Sequence, residues 1–138
     1  MAPIEWTDEY KVGVREIDDQ HRQLVDIVNK FEEAVLRGRG SRQVNAILND
    51  LIGYTQEHFA TEERLLAAAA YPQLKLHQSQ HRQLLQKVER FQFEYGAGRR
   101  VTAELHEFLS YWLVTHILRD DKAYVATLAS PATPAGRA

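Results

Sequence analysis

The stretch HFATEERLLAAAAYPQLKLHQSQH, residues 58–81, decides how the rest of the chain is read. Its first half carries His58 and Glu62 four residues apart, its second half carries His77 and His81 four apart, and Tyr71-Pro72 interrupts the two. A four-residue step keeps two side chains on one face of a helix, about 6 Å apart along the axis. The stretch therefore predicts the end of one helix and the start of an antiparallel neighbour, with Pro72 in the first turn of the second. Either pair alone is a weak signal, because pairs of this spacing also arise on solvated faces.

The same helical period continues outward in both directions. Ile47, Leu51 and Tyr54 extend the face before His58, and Leu65 follows Glu62; Leu74 precedes His77, and Leu84, Val88, Phe91 and Tyr95 follow His81. Two further segments repeat the pattern: Ile17, His21, Leu24, Val28, Phe31 and Val35, then Leu105, Leu109, Trp112 and His116. Each set lies on one helical face. Gly38, Gly40, Gly96 and Gly98 mark the remaining turns, and Ser41 is expected to cap the second helix. Short connections imply antiparallel neighbours. The expected fold is all-α: an up-down-up-down antiparallel four-helix bundle with an N-terminal arm and a short C-terminal helix or tail. The expected boundaries are a single domain over 1–128, its first 16 residues forming the arm, and a flexible tail over 129–138. Trp6, Tyr10, Val12 and Val14 would lay the arm on the bundle; strand-like alternation occurs only weakly, at Val12-Gly13-Val14.

Composition narrows the function classes. The 138 residues are 44% hydrophobic and 26% charged, an ordinary globular balance, and the net charge of −2 gives no electrostatic footprint for nucleic acid. No apolar run approaches the ~18 residues of a membrane span, and the first residues lack the pattern of a secretory leader. A cytoplasmic monomer without membrane insertion is the expectation. The absence of cysteine removes disulfides, thiolate metal sites and cysteine nucleophiles. Nor is there a Ser-His-Asp or glycine-rich phosphate motif.

The informative residues are the polar ones on core faces: His21, His58, Glu62, His77, His81 and His116. A lone buried histidine is ordinarily satisfied by a backbone carbonyl. Here the starts of the first and third helices and the ends of the second and fourth lie at the same end of the bundle, so all six groups converge in one layer. Unpartnered, they would be costly to bury, and convergent imidazole and carboxylate donors in a bundle core indicate metal. One zinc takes about four ligands, and magnesium or calcium wants oxygen donors. Two imidazole-tolerant metals bridged by carboxylate fit best, with iron the leading choice. His106 falls about 80° off the His116 face at 3.6 residues per turn and is read as a surface residue.

These features resemble the hemerythrin family, in its single-domain bacterial branch. The resemblance is carried by Trp6, Val12-Gly13-Val14, Ile17-Asp18-Asp19-Gln20-His21, His58-x-x-x-Glu62, Tyr71-Pro72, His77-x-x-x-His81 and His116-Ile117-x-x-x-Asp121, and runs from Trp6 to about Lys122. It implies two iron ions. His77, His81 and His116 would bind one, His21 and His58 the other, and Glu62 and Asp121 would bridge both together with an oxo or hydroxo group. Helical geometry from His116 favours Asp120 at i+4; the family pattern selects Asp121, which requires the helix to bend or end and leaves Asp120 as a solvated acid beside Arg119. That ligand set leaves one open coordination position, on the iron with two histidines. The function implied is reversible O2 binding for transport, storage or delivery, without enzymatic turnover, the recipient being an O2-consuming protein. The alternatives are a di-iron enzyme acting on peroxide or nitric oxide, and an oxygen or iron sensor module. Leu113 and Trp112, one turn inside the ligand layer with Leu24, Tyr54 and Leu84, are expected to line the oxygen pocket, and the Ala67–Ala70 run to loosen packing nearby.

Overall fold

A computed structural model of the protein describes residues 3–129. Four long helices follow in order: α1 (Arg15–Leu36), α2 (Ser41–Ala68), α3 (Leu74–Gly96) and α4 (Thr102–Thr115). The last runs without a break into a π-helical turn (His116–Asp121), a 3-10 turn (Lys122–Tyr124) and a short helix, α5 (Val125–Ala129). No strand occurs among the described residues. α1 packs on α2 and α4, α2 on α3, and α3 on α4, the closed ring expected of an up-down-up-down bundle. Of the expected tail over 129–138, residues 130–138 lie outside the described residues, and Ala129 belongs to α5.

The core follows the helical period, with one systematic shift. On α2 the inward positions are Val44, Leu48, Leu51, Thr55, His58, Phe59, Glu62 and Leu66. Ile47, Tyr54 and Leu65, expected inside, are half-buried, and the next residue along in each case, Leu48, Thr55 and Leu66, is buried instead. Phe31, Leu48 and Leu105 are fully buried in the main core, away from the polar layer. Truncating one such side chain to alanine costs about 2–5 kcal/mol in transfer and cavity terms.

The arm ends two residues earlier than expected, at Val14, because Asp18 sets its junction with α1. The Asp18 carboxylate accepts the backbone N–H groups of Val12 at 2.7 Å and Gly13 at 3.2 Å. Gly13, at φ 89°, supplies the backbone conformation that turns both groups inward. Helix α1 therefore starts at Arg15, and Val12 is buried with Ile17, Leu66 and Tyr124 in a second apolar cluster. Ile4 exchanges two 2.8 Å hydrogen bonds with the Asn29 side chain, and Trp6 stacks on Tyr10.

Two expected helix starts are corrected. Ser41 is the first residue of α2, not its cap; Gly40 is the cap and makes no side-chain bond. Pro72 lies outside α3, in a turn closed by the Leu74 N–H on the Tyr71 carbonyl. Its fixed φ suits the second position of such a turn. The Ala67–Ala70 run does not loosen the interior: Ala67, Ala68 and Ala70 are at the surface, while Leu66 beside them is fully buried.

Candidate metal centre

Every polar residue expected in the ligand layer is buried, and the four helices deliver them to one place. α1 contributes His21, α2 His58 and Glu62, α3 His77 and His81, and the π turn His116 and Asp121. The π turn decides which of the two aspartates faces the imidazoles. Its wider i→i+5 winding places Asp121, fully buried, on the face of His116. The helix does not end there; its winding takes in one extra residue.

The carboxylate oxygens sort the imidazoles into two groups. Glu62 Oε1 lies 2.8 Å from His77 Nε2 and 2.9 Å from His81 Nε2. Glu62 Oε2 lies 3.6 Å from the Nε2 atoms of His21 and His58. Asp121 Oδ1 is 2.9 Å from His77 Nε2 and 3.0 Å from His116 Nε2, whereas its Oδ2 is 3.0 Å from His21 Nε2. Donor atoms of Glu62, His77, His81 and His116 all fall within 4.8 Å of one another, and those of His21, His58 and Glu62 do likewise. Glu62 belongs to both groups.

Protein hydrogen bonds alone do not satisfy this cluster. Both ring nitrogens of His21, Nε2 of His81 and of His116, and both oxygens of Asp121 are buried without an aligned partner, although oppositely polarised atoms lie about 3 Å away. Leaving such groups unpaired in a dry interior costs about 1–3 kcal/mol each. A set of imidazole nitrogens and carboxylate oxygens pointing inward fits imidazole-tolerant transition metals.

The metal-free protonation pattern tells the same story. Burial opposes charging His21, His77 and His116, yet hydrogen bonds and charge from Asp121 and Glu62, joined by Asp120 at His116, outweigh it and raise all three to about 9. His58 goes the other way, to about 3, through burial and its charged neighbour His21. Glu62 and Asp121 resist protonation despite burial, because the surrounding imidazoles favour their anions. Protons thus stand where a metal would, and metal uptake must release them.

The surroundings contain functional residues that periodicity missed. Tyr124, fully buried, donates its hydroxyl to Glu62 Oε2 at 2.8 Å; burial and the charges of Asp121 and Glu62 push its phenol pKa far up, so it remains a donor. Phe59 lies face-on to His81 with ring centroids 3.6 Å apart, and Trp112 lies on His116 at 4.3 Å. Phe59, Trp112, Leu113, Leu24 and Leu84 line an apolar cavity of about 20 Å³ behind the ligand layer. Leu113 and Trp112 line this cavity, as does Thr55, whereas Tyr54 does not. The sequence signal for Phe59 is its place next to His58, and for Tyr124 its place one turn beyond Asp121.

Two residues differ from expectation. Asp120 is not a freely solvated acid: it is half-buried, and its Oδ2 accepts from His116 Nδ1 at 3.0 Å, which lowers its own pKa, while Arg119 sits at 3.9 Å. His106 is buried, not at the surface. It packs on α1, with Nε2 3.5 Å from Glu32 Oε2 and 3.3 Å from Ser110 Oγ, near the other end of α4 from the ligand layer. The buried face of α4 is wide enough to include Leu105 and His106 together.

Comparison with known proteins agrees with the geometry. Residues 12–128 match the family described as Hemerythrin HHE cation binding domain. The chain is 34% identical to a bacteriohemerythrin of Pseudomonas aeruginosa, over 91% of this chain and 81% of that protein. It is 32% identical to the bacteriohemerythrin of Methylococcus capsulatus, over 94% of this chain and the whole of the relative. A crystal structure of wild-type hemerythrin superposes with a TM-score of 0.84 at 31% identity, covering 94% of this chain and all of that one.

Proposed function

The chain belongs to the hemerythrin family, and on that premise we propose that it binds O2 reversibly at a non-haem di-iron centre. The observation that carries this reading is the sorting of the carboxylate oxygens: Glu62 and Asp121 each turn one oxygen toward the His77–His81–His116 side and the other toward the His21 side, where His58 also faces Glu62. His77, His81 and His116 would hold one iron, His21 and His58 the other, and Glu62 and Asp121, with an oxo or hydroxo group, would bridge them. When bound, the iron pair would supply the electrons for binding O2.

The protein's own part is to hold, shield and discriminate. Tyr124 donates to Glu62 and fixes that carboxylate's orientation. Phe59 and Trp112 hold two of the imidazole planes. Leu113, with Leu24 and Leu84, keeps the inner wall apolar, which excludes water and protons and slows irreversible oxidation. A histidine-rich donor set with two carboxylates favours reversible binding over the carboxylate-rich sites of ferritin-like oxidases. We assign the chain the role of carrier, store or donor of O2 to an O2-consuming protein, acting as a monomer. Among the described residues no helix is long and apolar enough to cross a membrane.

The test is stopped-flow mixing of the diferrous protein with O2, followed by deoxygenation under argon. Return of the deoxy spectrum supports the carrier reading. Catalytic consumption of O2, peroxide or nitric oxide with a reductant present, far faster than autoxidation, replaces it with the enzyme reading.

A further inference from the structure

Three of the five ligand-layer imidazoles have a side-chain acceptor on Nδ1, and the acceptors differ in charge. His81 Nδ1 donates to Glu63 Oε2 at 2.7 Å, and His116 Nδ1 to Asp120 Oδ2 at 3.0 Å. His58 Nδ1 donates instead to a neutral amide, Gln20 Oε1, at 2.7 Å. The orientation of that amide is fixed by a chain of bonds that ends on a pure acceptor. The Glu57 carbonyl receives the Thr61 hydroxyl at 3.2 Å, so Thr61 Oγ1 is free to accept Gln20 Nε2, also at 3.2 Å, and Gln20 Oε1 is left facing His58. In all three rings Nδ1 is turned to its acceptor, and Nε2 faces inward.

The two halves of the site are therefore backed differently. The Glu62, His77, His81 and His116 half has two carboxylates behind its rings, Glu63 and Asp120, each about one-quarter exposed. The His21, His58 and Glu62 half has one neutral amide; His21 Nδ1 is buried with no partner at all. The rings backed by carboxylate are also the two clamped face-on, by Phe59 and Trp112, whereas His21 and His58 meet only edge to face at 4.6 Å. A carboxylate on the far nitrogen fixes the tautomer and makes an imidazole a stronger donor.

We infer that Glu63 and Asp120 are positioning residues that make the three-histidine half the tighter of two unequal metal sites, so that metal enters it first and leaves it last. The inference rests on the two-metal reading of the same cluster. It makes the singly loaded protein, with the His21–His58 half vacant, a defined species on the way to the loaded centre.

The experiment is titration of the metal-free full chain with Co(II) against a competing chelator, followed by the visible d–d absorption, with helix content checked by circular dichroism. Wild type is expected to bind in two steps separated by at least about 10-fold in affinity. Glu63→Gln, which keeps an acceptor but removes its charge, should weaken the first step about 10-fold and leave the second within about twofold. Gln20→Glu should tighten the second step and narrow the gap. Two equal steps in wild type, or a first step unchanged in Glu63→Gln, would overturn the inference. Uptake of a single cobalt, or none, would instead overturn the two-metal reading on which it stands.

Discussion

The two ends of the bundle bury the same chemistry to different effect. Near one end, His106 and Glu32 lie side by side, each almost wholly inaccessible, at 3.5 Å with Ser110 close by. At the other, His21, His58, His77, His81 and His116 surround Glu62 and Asp121. Burial lowers the His106 pKa against the opposing charge of Glu32, so that ring is neutral and the pair stands as a local polar contact between α1 and α4. In the ligand layer the carboxylates win over burial, and three rings are raised to about 9. Both ends leave buried polar atoms unmatched, Glu32 Oε2 and His106 Nδ1 at one and six atoms at the other, but only at the second do two acids and five imidazoles converge as a cation needs. Burial of a polar residue is thus a poor marker of a site, and convergence from several helices is a good one.

Removing iron should produce the largest difference between the ends. Metal bound only to the native state, at a free concentration about 1,000 times its Kd, stabilises by about 4 kcal/mol. His77→Ala should accordingly lose iron and lower the melting temperature together, as read by elemental analysis and calorimetry. Asp121→Ala should do the same far more severely than Asp120→Ala, because Asp121 faces both groups of imidazoles while Asp120 only backs His116. Equal losses would erase the distinction drawn between them.

Substitution at the far end should cost stability and spare metal. His106→Ala leaves Glu32 buried without its neighbour, a penalty of about 1–3 kcal/mol. Iron content should not change. A joint His106→Leu and Glu32→Leu replacement removes both polar partners and should be near neutral. Loss of iron in either variant would mean that the two ends are not independent.

In the metal-free protein only the ligand layer should loosen on the alkaline side; its His58, lowered to about 3, shares the acid-side loss with His106 at the far end. His21, His77 and His116 are raised from 6.5 to about 9, so the native state holds more protons than the unfolded chain between those values. Their contribution is present below pH 6.5 and is lost as pH rises toward 9. His106 is lowered, so its contribution is present above 6.5 and is lost as pH falls. Hydrogen exchange resolved by residue should show the ligand layer of the apoprotein loosening on the alkaline side and the α1–α4 contact at His106 loosening on the acid side. Iron should suppress the alkaline effect, because it replaces the protons.

The smallest expected effect is at the α2 C-terminus. Helices α1, α2 and α3 end alike: Arg39 N–H bonds to Ala34 O, Tyr71 N–H to Leu66 O and Arg99 N–H to Glu94 O. The residue in the left-handed conformation is Gly38, Ala70 and Gly98 respectively. Only the ligand-bearing connection uses alanine there, at φ 55°. Ala70→Gly should raise stability by about 1 kcal/mol, seen as a shift in denaturation midpoint, with metal content unchanged.

How far the sequence could be read follows from these cases. His58 with Glu62 and His77 with His81 revealed both helix direction and site, because spacing and topology together force convergence. Asp121 was legible only through family resemblance, since α-helical spacing pointed to Asp120 and nothing in the local sequence announces a π turn. Glu63 escaped notice, and Gln20 entered only as part of a motif with no role of its own, because each sits next to a ligand, on a flank that periodicity assigns to solvent, and reaches across to a ring on another helix. His106 was misplaced because a single stripe was drawn for α4, whose buried face is broader than one row of side chains.

The π turn at His116–Asp121 has one more consequence, for the phase of the chain. A helix is a clock advancing about 100° per residue; the wider turn stalls that clock by one position. Residues before His116 and after Asp121 therefore keep different time, and Tyr124 meets Glu62 only on the later setting. Deleting a residue inside the turn would not shorten the helix harmlessly. It would synchronise the two halves, bring one aspartate into line with His116, and carry the tyrosine that steadies Glu62 out of step with it.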